Sequence, residues 1–173
     1  VLGAWIGVST GITRSLGGIM GLVVFVGGMM AFQFAIHRFR NSSAGIAILM
    51  AFTFFMGLML SRLLGVVLGM GNGTTLVMSA FASTAGVFAT MATLATVIKR
   101  DLSGMGRWLF AGMIAILIAA VVNIFIGSSA MMLALTALST VVFSLYMLYD
   151  VKNIIDGGET NYIMATVSLF VSI

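Results

Sequence analysis

The sequence contains no cysteine and no proline, and its only charged residues are eight lysines and arginines and four acidic residues among 173 positions. Without cysteine, the chain forms no disulfide, no thiolate metal site and no cysteine nucleophile. The single histidine, His37, excludes a site built from several histidines. A Walker glycine loop, a GxSxG nucleophile elbow and an HExxH zinc motif are also absent. We therefore expect a protein that is not an enzyme and that binds no cofactor.

Apolar residues make up 61% of the chain and charged residues only 7%. Soluble domains have roughly 45–50% apolar and about 25% charged residues, so this chain has too few charges to cover a water-facing surface. The apolar runs also lack the alternation of a membrane β-barrel. The composition therefore predicts an all-α integral membrane protein in contact with membrane lipid. The net charge of +4 comes from basic residues at the ends of apolar runs, where they favour a role in topology over nucleic-acid binding.

The apolar residues fall into seven segments. In chain order they are 1–13, 16–36, 44–68, 75–98, 108–126, 129–149 and a last segment that begins near Tyr162. Five are long enough to cross a membrane, which takes about 20 residues. The last segment reaches only about 18 Å of a hydrocarbon core roughly 30 Å thick. We predict one transmembrane domain over residues 1–173, a seven-helix bundle with truncated first and last helices that lacks an N-terminal tail and the end of helix seven.

The loops alternate in charge along the chain. Charged loops follow the second, fourth and sixth segments, at 37–40, 99–107 and 150–160, whereas 72–73 and 127–128 are uncharged. Because positively charged loops stay in the cytoplasm, we expect the charged loops and the N-terminus to be cytoplasmic. Arg14 is the exception on the outer side.

Small residues recur at a spacing of four, which lets membrane helices approach closely. The glycines of this pattern are Gly3, Gly7 and Gly11, Gly17 and Gly21, and Gly65 and Gly69. We interpret them as packing positions inside the bundle; the alternative is a contact face between two molecules.

Four polar residues near or within apolar segments need an explanation, because a polar group in hydrocarbon is costly. They are Arg62, Asn123, Asp150 and Ser172, which lies within the truncated last segment. We expect Arg62 to extend its charge to the outer interface and Asn123 to donate an interhelical hydrogen bond. Asp150, at the cytoplasmic boundary, is either a solvated helix-end residue or a pH-sensitive latch that changes partners on protonation. The candidate partners of such a latch are Lys152, Arg38 and Arg40.

The loop at 156–161 contains two glycines, which permit a tight turn with positive φ. A helix would then begin near Thr160 or Asn161, with either residue as N-cap. The two acids of this loop lack the spacing of an EF-hand calcium site.

The run from Asp150 to Ser172, DVKNIIDGGETNYIMATVSLFVS, resembles the Bax inhibitor-1 family and looks closest to its proteobacterial YccA branch. The segments Lys99–Ser103 and Asn123–Phe125 also resemble that family. The residues that carry the motif are Gly157, Gly158, Glu159, Thr160, Asn161, Tyr162 and Ser172.

This resemblance implies a seven-helix protein of the bacterial inner membrane that binds and modulates the membrane-anchored AAA protease FtsH. Elsewhere in the family it implies a pH-sensitive calcium leak associated with two aspartates. Asp150 matches the first aspartate, and Ser172 stands where the second would fall. Arg62 departs from the proline found near that position in many members. The alternative hypothesis is therefore a pH-sensitive leak channel for calcium or another cation, gated around Asp150, with Ca²⁺ or H⁺ as the candidate ion.

Overall fold

The computed structural model describes residues 2–11 and 18–173, with the backbone alone for Gly18 and Ile19. These residues form seven α-helices, which confirms an all-helical protein. The helices are α1 (Leu2–Thr10), α2 (Gly18–Phe39), α3 (Ser43–Leu68), α4 (Gly73–Val97), α5 (Met105–Ile126), α6 (Ser129–Ile155) and α7 (Tyr162–Ser172). The five helices α2–α6 are long and apolar enough to cross a membrane, whereas the apolar helix α7 is shorter.

Two predicted helix ends differ from the structure. Helix α2 continues past Ile36 to Phe39, and α6 continues past Tyr149 to Ile155. The predicted ends lie where the apolar residues stop, whereas the backbone hydrogen bonds of both helices continue into the polar residues that follow. Asp150 therefore lies within α6 instead of ending it. The predicted junction at Thr13–Leu16, with Arg14, lies outside the described residues.

The chain divides into two compact units, Val1–Ser83 and Thr84–Ile173. In the first unit, α1 and α2 both pack against α3. Gly3 lies against the backbone carbonyl of Phe54, and Gly7 lies against the side chain of Ser61. Any Cβ at either position would overlap α3, so the predicted packing role of these two glycines is confirmed.

Other glycines of the same spacing have different roles. Gly11 adopts a φ of 66° and its N–H bonds to the carbonyl of Gly7 at 3.1 Å, so it ends α1. Gly69 caps α3, and a Cβ on Gly65 would meet no other group among the described residues. Gly11 and Gly69 thus end their helices, and the packing role predicted for Gly65 stays a prediction. Gly17 lies outside the described residues.

In the second unit, α6 packs against both α5 and α7. Gly127 takes a φ of 68° between α5 and α6, and Ser128 caps α6 by accepting a hydrogen bond from the N–H of Met131 at 3.3 Å. The side chain of Asn123, only 8% exposed, accepts a hydrogen bond from the N–H of Ser128 at 3.2 Å. Asn123 thus stabilises the α5–α6 turn. Its Nδ2 also donates a hydrogen bond to Sδ of Met132 on α6 at 4.0 Å, which confirms the predicted interhelical bond.

Candidate functional site at the junction of α6 and α7

The C-terminal end of α6 is closed by the two glycines of the motif. The N–H of Gly157 bonds to the carbonyl of Ile154 at 3.2 Å, and the N–H of Gly158 bonds to that of Asn153 at 2.9 Å. This pair of bonds is a Schellman motif, which requires a left-handed residue after the cap. Gly157 meets the requirement with a φ of 75°, so the predicted positive-φ turn is confirmed. A Cβ on Gly158 would overlap the side chain of Asn153.

The start of α7 is fixed by the next residues of the motif. The Asn161 side-chain oxygen accepts hydrogen bonds from the N–H groups of Ile163 and Met164, both at 3.1 Å. Asn161 is therefore the N-cap, which decides between the two predicted candidates. The carboxylate of Glu159 accepts a hydrogen bond from the N–H of Asn161 at 2.9 Å. Glu159 and Asn161 thus fix the direction in which α7 leaves the loop.

Asp150 and Ser172 join α6 to α7. The Oγ of Ser172 donates a hydrogen bond to Oδ2 of Asp150, and it also lies 2.9 Å from the carbonyl oxygen of Ser168. A hydroxyl has one hydrogen to donate, so these two acceptors compete for it. Ser172 is only 6% exposed, and Asp150 is half-buried. The two residues that the motif analysis singled out are therefore in direct contact.

Lys152 has a different partner from the one predicted. Its Nζ lies 2.8 Å from Oδ1 of Asp156, one turn further along α6, and Lys152 itself is only 8% exposed. Residues four apart share a face of a helix, whereas residues two apart, such as Asp150 and Lys152, do not face each other. The pairing of Asp150 with Arg38 or Arg40 stays a prediction, because these arginines belong to the other compact unit.

A cleft of about 330 Å³ lies beside this junction. Its lining residues are Asp101, Leu102, Ser103, Tyr149, Asn153, Asp156 and Gly158. The backbone N–H of Ser103, 2.8 Å from Oδ1 of Asp101, is the main cause that lowers the pKa of Asp101, and the Ser103 hydroxyl at 3.0 Å adds to it. Asp101 is therefore ionised at neutral pH.

Two further observations concern the remaining candidates. Arg62 is exposed on α3, and its predicted extension to the outer interface stays a prediction. Within residues 2–11 and 18–173, no three His, Asp or Glu side chains form a group that could hold a metal ion. The pair Lys152–Asp156 was missed at the level of sequence, although its spacing of four residues was a usable signal.

Comparison with known proteins identifies related chains. A family model described as inhibitor of apoptosis-promoting Bax1 matches residues 1–173. A protein of Escherichia coli K12 named modulator of FtsH protease YccA is 39% identical over 153 residues, which cover 88% of this chain and 69% of that protein. An uncharacterized membrane protein of Vibrio cholerae is 36% identical over 155 residues, covering 90% and 70% respectively. For an uncharacterized protein of Neisseria meningitidis serogroup A, the identity is 36% over 152 residues, covering 88% and 66%. The chain thus spans about two thirds of the length of these relatives.

Proposed function

This chain belongs to the Bax inhibitor-1 family, and we propose that it is a bacterial inner-membrane protein that binds and modulates a membrane-anchored AAA protease of the FtsH type. The observation that carries the proposal is its 39% identity to the E. coli protein named as a modulator of that protease. The E. coli relative is named as a modulator and the V. cholerae relative as a membrane protein, and neither name is that of an enzyme.

The binding mode follows from the distribution of polar and apolar surface. The loops between the described helices are short, and the helices expose many large apolar side chains. An interface between membrane-embedded helices depends on close packing, which salt does not screen. We therefore expect the complex with the protease to form within the membrane and to survive moderate salt.

Co-purification from detergent-solubilised membranes tests this proposal. The tagged chain should retain the protease at about 0.1 M salt and at roughly 0.5 M salt, concentrations that differ strongly in screening. A tagged membrane protein of another family, expressed at the same level, is the control. Absence of the protease, or its release by salt alone, would contradict the proposal.

The proposal includes a topology of seven helices with a cytoplasmic N-terminus. Because the chain has no cysteine, single cysteines report their side of the membrane without background. Cysteines at positions 40, 101 and 156 should react from the cytoplasmic side, and those at 72 and 128 from the outer side. A cysteine at position 72 that reacts only from the cytoplasmic side would contradict this topology.

A second candidate function is a pH-sensitive leak of calcium or protons gated around Asp150. The contact between Asp150 and Ser172 favours it, because a carboxylate there ties two helices together. A change in its protonation reverses or breaks that bond and so alters the α6–α7 contact. Since Ser172 cannot titrate, we expect one titration step instead of the two steps of a coupled pair.

Flux measurements in liposomes test the second candidate. The wild-type chain should show a cation flux that changes between pH values of roughly 5 and 8, and Asp150→Asn should remove this dependence. Asp101→Asn is the control, because it makes the same chemical change in an exposed carboxylate of a loop, where its contact with Ser103 is local. A wild-type flux without pH dependence would contradict the leak.

A further inference from the structure

The charged residues of the unit Thr84–Ile173 lie at one of its ends. Helix α5 turns back into α6 at Gly127, and Gly106 at the start of α5 lies against the ring of Tyr149 near the end of α6. The start of α5 and the end of α6 therefore share one end of the unit, together with the loops that adjoin them. We call residues 98–108 and 150–162 the charged end.

All four acidic residues of the chain lie at the charged end, and each has a partner within the fold. The pairs are Asp101 with Ser103, Asp150 with Ser172, Asp156 with Lys152, and Glu159 with the backbone N–H of Asn161. The four acidic side chains of this end and the buried Lys152 therefore all have partners within the fold.

Three basic residues of the charged end are left over. Lys99, Arg100 and Arg107 are exposed, and none of the three forms an ion pair among the described residues. Arg107 lies in the first turn of α5, where the helix macrodipole disfavours a positive charge. Its position therefore does not stabilise the helix and suits an anion outside the fold. The neighbouring Trp108 is 79% exposed.

We propose that Lys99, Arg100, Arg107 and Trp108 form a binding surface for the headgroups of anionic phospholipids. The candidate spans α4 and α5 end at Val97 and begin at Met105, so these four residues lie where hydrocarbon gives way to water. Tryptophan prefers the headgroup level, and long basic side chains extend their charges to it. Anionic lipids also attract basic residues beside a span, which adds a specific partner to the general apolar contact with lipid.

Fluorescence of Trp108 measures this binding. The chain has two tryptophans, so Trp5→Phe leaves Trp108 as the only reporter. Purified chain in zwitterionic detergent is titrated with short-chain phosphatidylglycerol, and in parallel with phosphatidylcholine of the same chain length. The emission should shift at far lower concentrations of phosphatidylglycerol, and added salt should weaken this response.

Charge variants identify the residues responsible. Each basic residue near an anionic leaflet typically strengthens binding by roughly fivefold, so replacing Lys99, Arg100 and Arg107 by Gln should weaken the binding on the order of 100-fold. The charge-conserving triple variant K99R/R100K/R107K should keep most of it.

Circular dichroism confirms that each variant is helical, and if the triple Gln variant does not fold, Arg107→Gln alone should weaken binding by roughly fivefold. Equal responses to the two lipids would overturn the proposal. An unchanged response of the Gln variants would do the same, as would equal losses in the Gln and charge-conserving variants.

Discussion

Removing the hydroxyl of Ser172 should weaken the contact between α6 and α7. Ser172 is buried, and its hydroxyl is the hydrogen-bond partner found for the Asp150 side chain within the described residues. Loss of a hydrogen bond to a charged group costs about 1.5–3 kcal/mol when the acceptor stays buried. Because Asp150 is only half-buried, water can replace part of the bond. We therefore expect Ser172→Ala to lower the free energy of unfolding by about 1–2 kcal/mol.

A double-mutant cycle separates this bond from other effects of the substitutions. Ser172→Ala, Asp150→Ala and the double variant are unfolded by denaturant in detergent, and the coupling energy should be about 1–2 kcal/mol. Ser168→Ala is the matched control, because among the described residues its hydroxyl bonds within α7, to the carbonyl of Ala165 at 3.1 Å. Ser168→Ala should lower the free energy of unfolding by less than about 0.5 kcal/mol. Additive effects, or a Ser172→Ala variant as stable as the control, would refute the reasoning.

Three further predictions concern packing, capping and pH. Gly3→Ala should lower the free energy of unfolding by about 1–3 kcal/mol, because the added Cβ overlaps α3. Gly65→Ala, where the Cβ meets no other described group, should raise it by up to about 1 kcal/mol. Equal free energies of unfolding for the two variants in detergent would contradict this. Asn161→Ala should lower the free energy of unfolding by about 1 kcal/mol and speed amide hydrogen exchange in the first turn of α7. Unchanged exchange there would count against the capping role of Asn161. Because the pKa of Asp101 is lowered in the folded state, its ionisation stabilises the fold above pH 3.8, and this stabilisation is lost as the pH falls through the folded pKa. Ser103→Ala keeps the backbone N–H bond but removes the hydroxyl bond, so it should raise that pKa by part of the shift in a carboxyl NMR titration, and an unmoved midpoint would argue against the hydroxyl bond.

The helical architecture followed from composition because membrane spans need long apolar segments, and this chain has them. The helix ends did not follow, since a helix continues for as long as backbone hydrogen bonds form, whether or not its side chains are apolar. Extension of α6 to Ile155 places Lys152 and Asp156 one turn apart on the same helix. Lys152 therefore pairs with Asp156 in the structure, and not with Asp150.

The contact between Asp150 and Ser172 could not be derived from spacing. The two residues are 22 positions apart, and their meeting depends on the turn that Gly157 and Gly158 close and on the α7 cap at Asn161. Glycine roles were equally dependent on geometry. Gly7 and Gly11 continue one spacing of four, yet the first packs against α3 and the second ends α1, because only the second takes a positive φ.

The rate at which an FtsH-type protease degrades a membrane substrate in proteoliposomes tests the central proposal most directly. The purified chain is added in increasing molar ratio to protease and substrate in the same bilayer, and a membrane protein of another family is added in its place as the control. We expect degradation to slow as the chain is added and the chain to be recovered with the protease. An unchanged degradation rate at every ratio, with no chain bound to the protease, would contradict it.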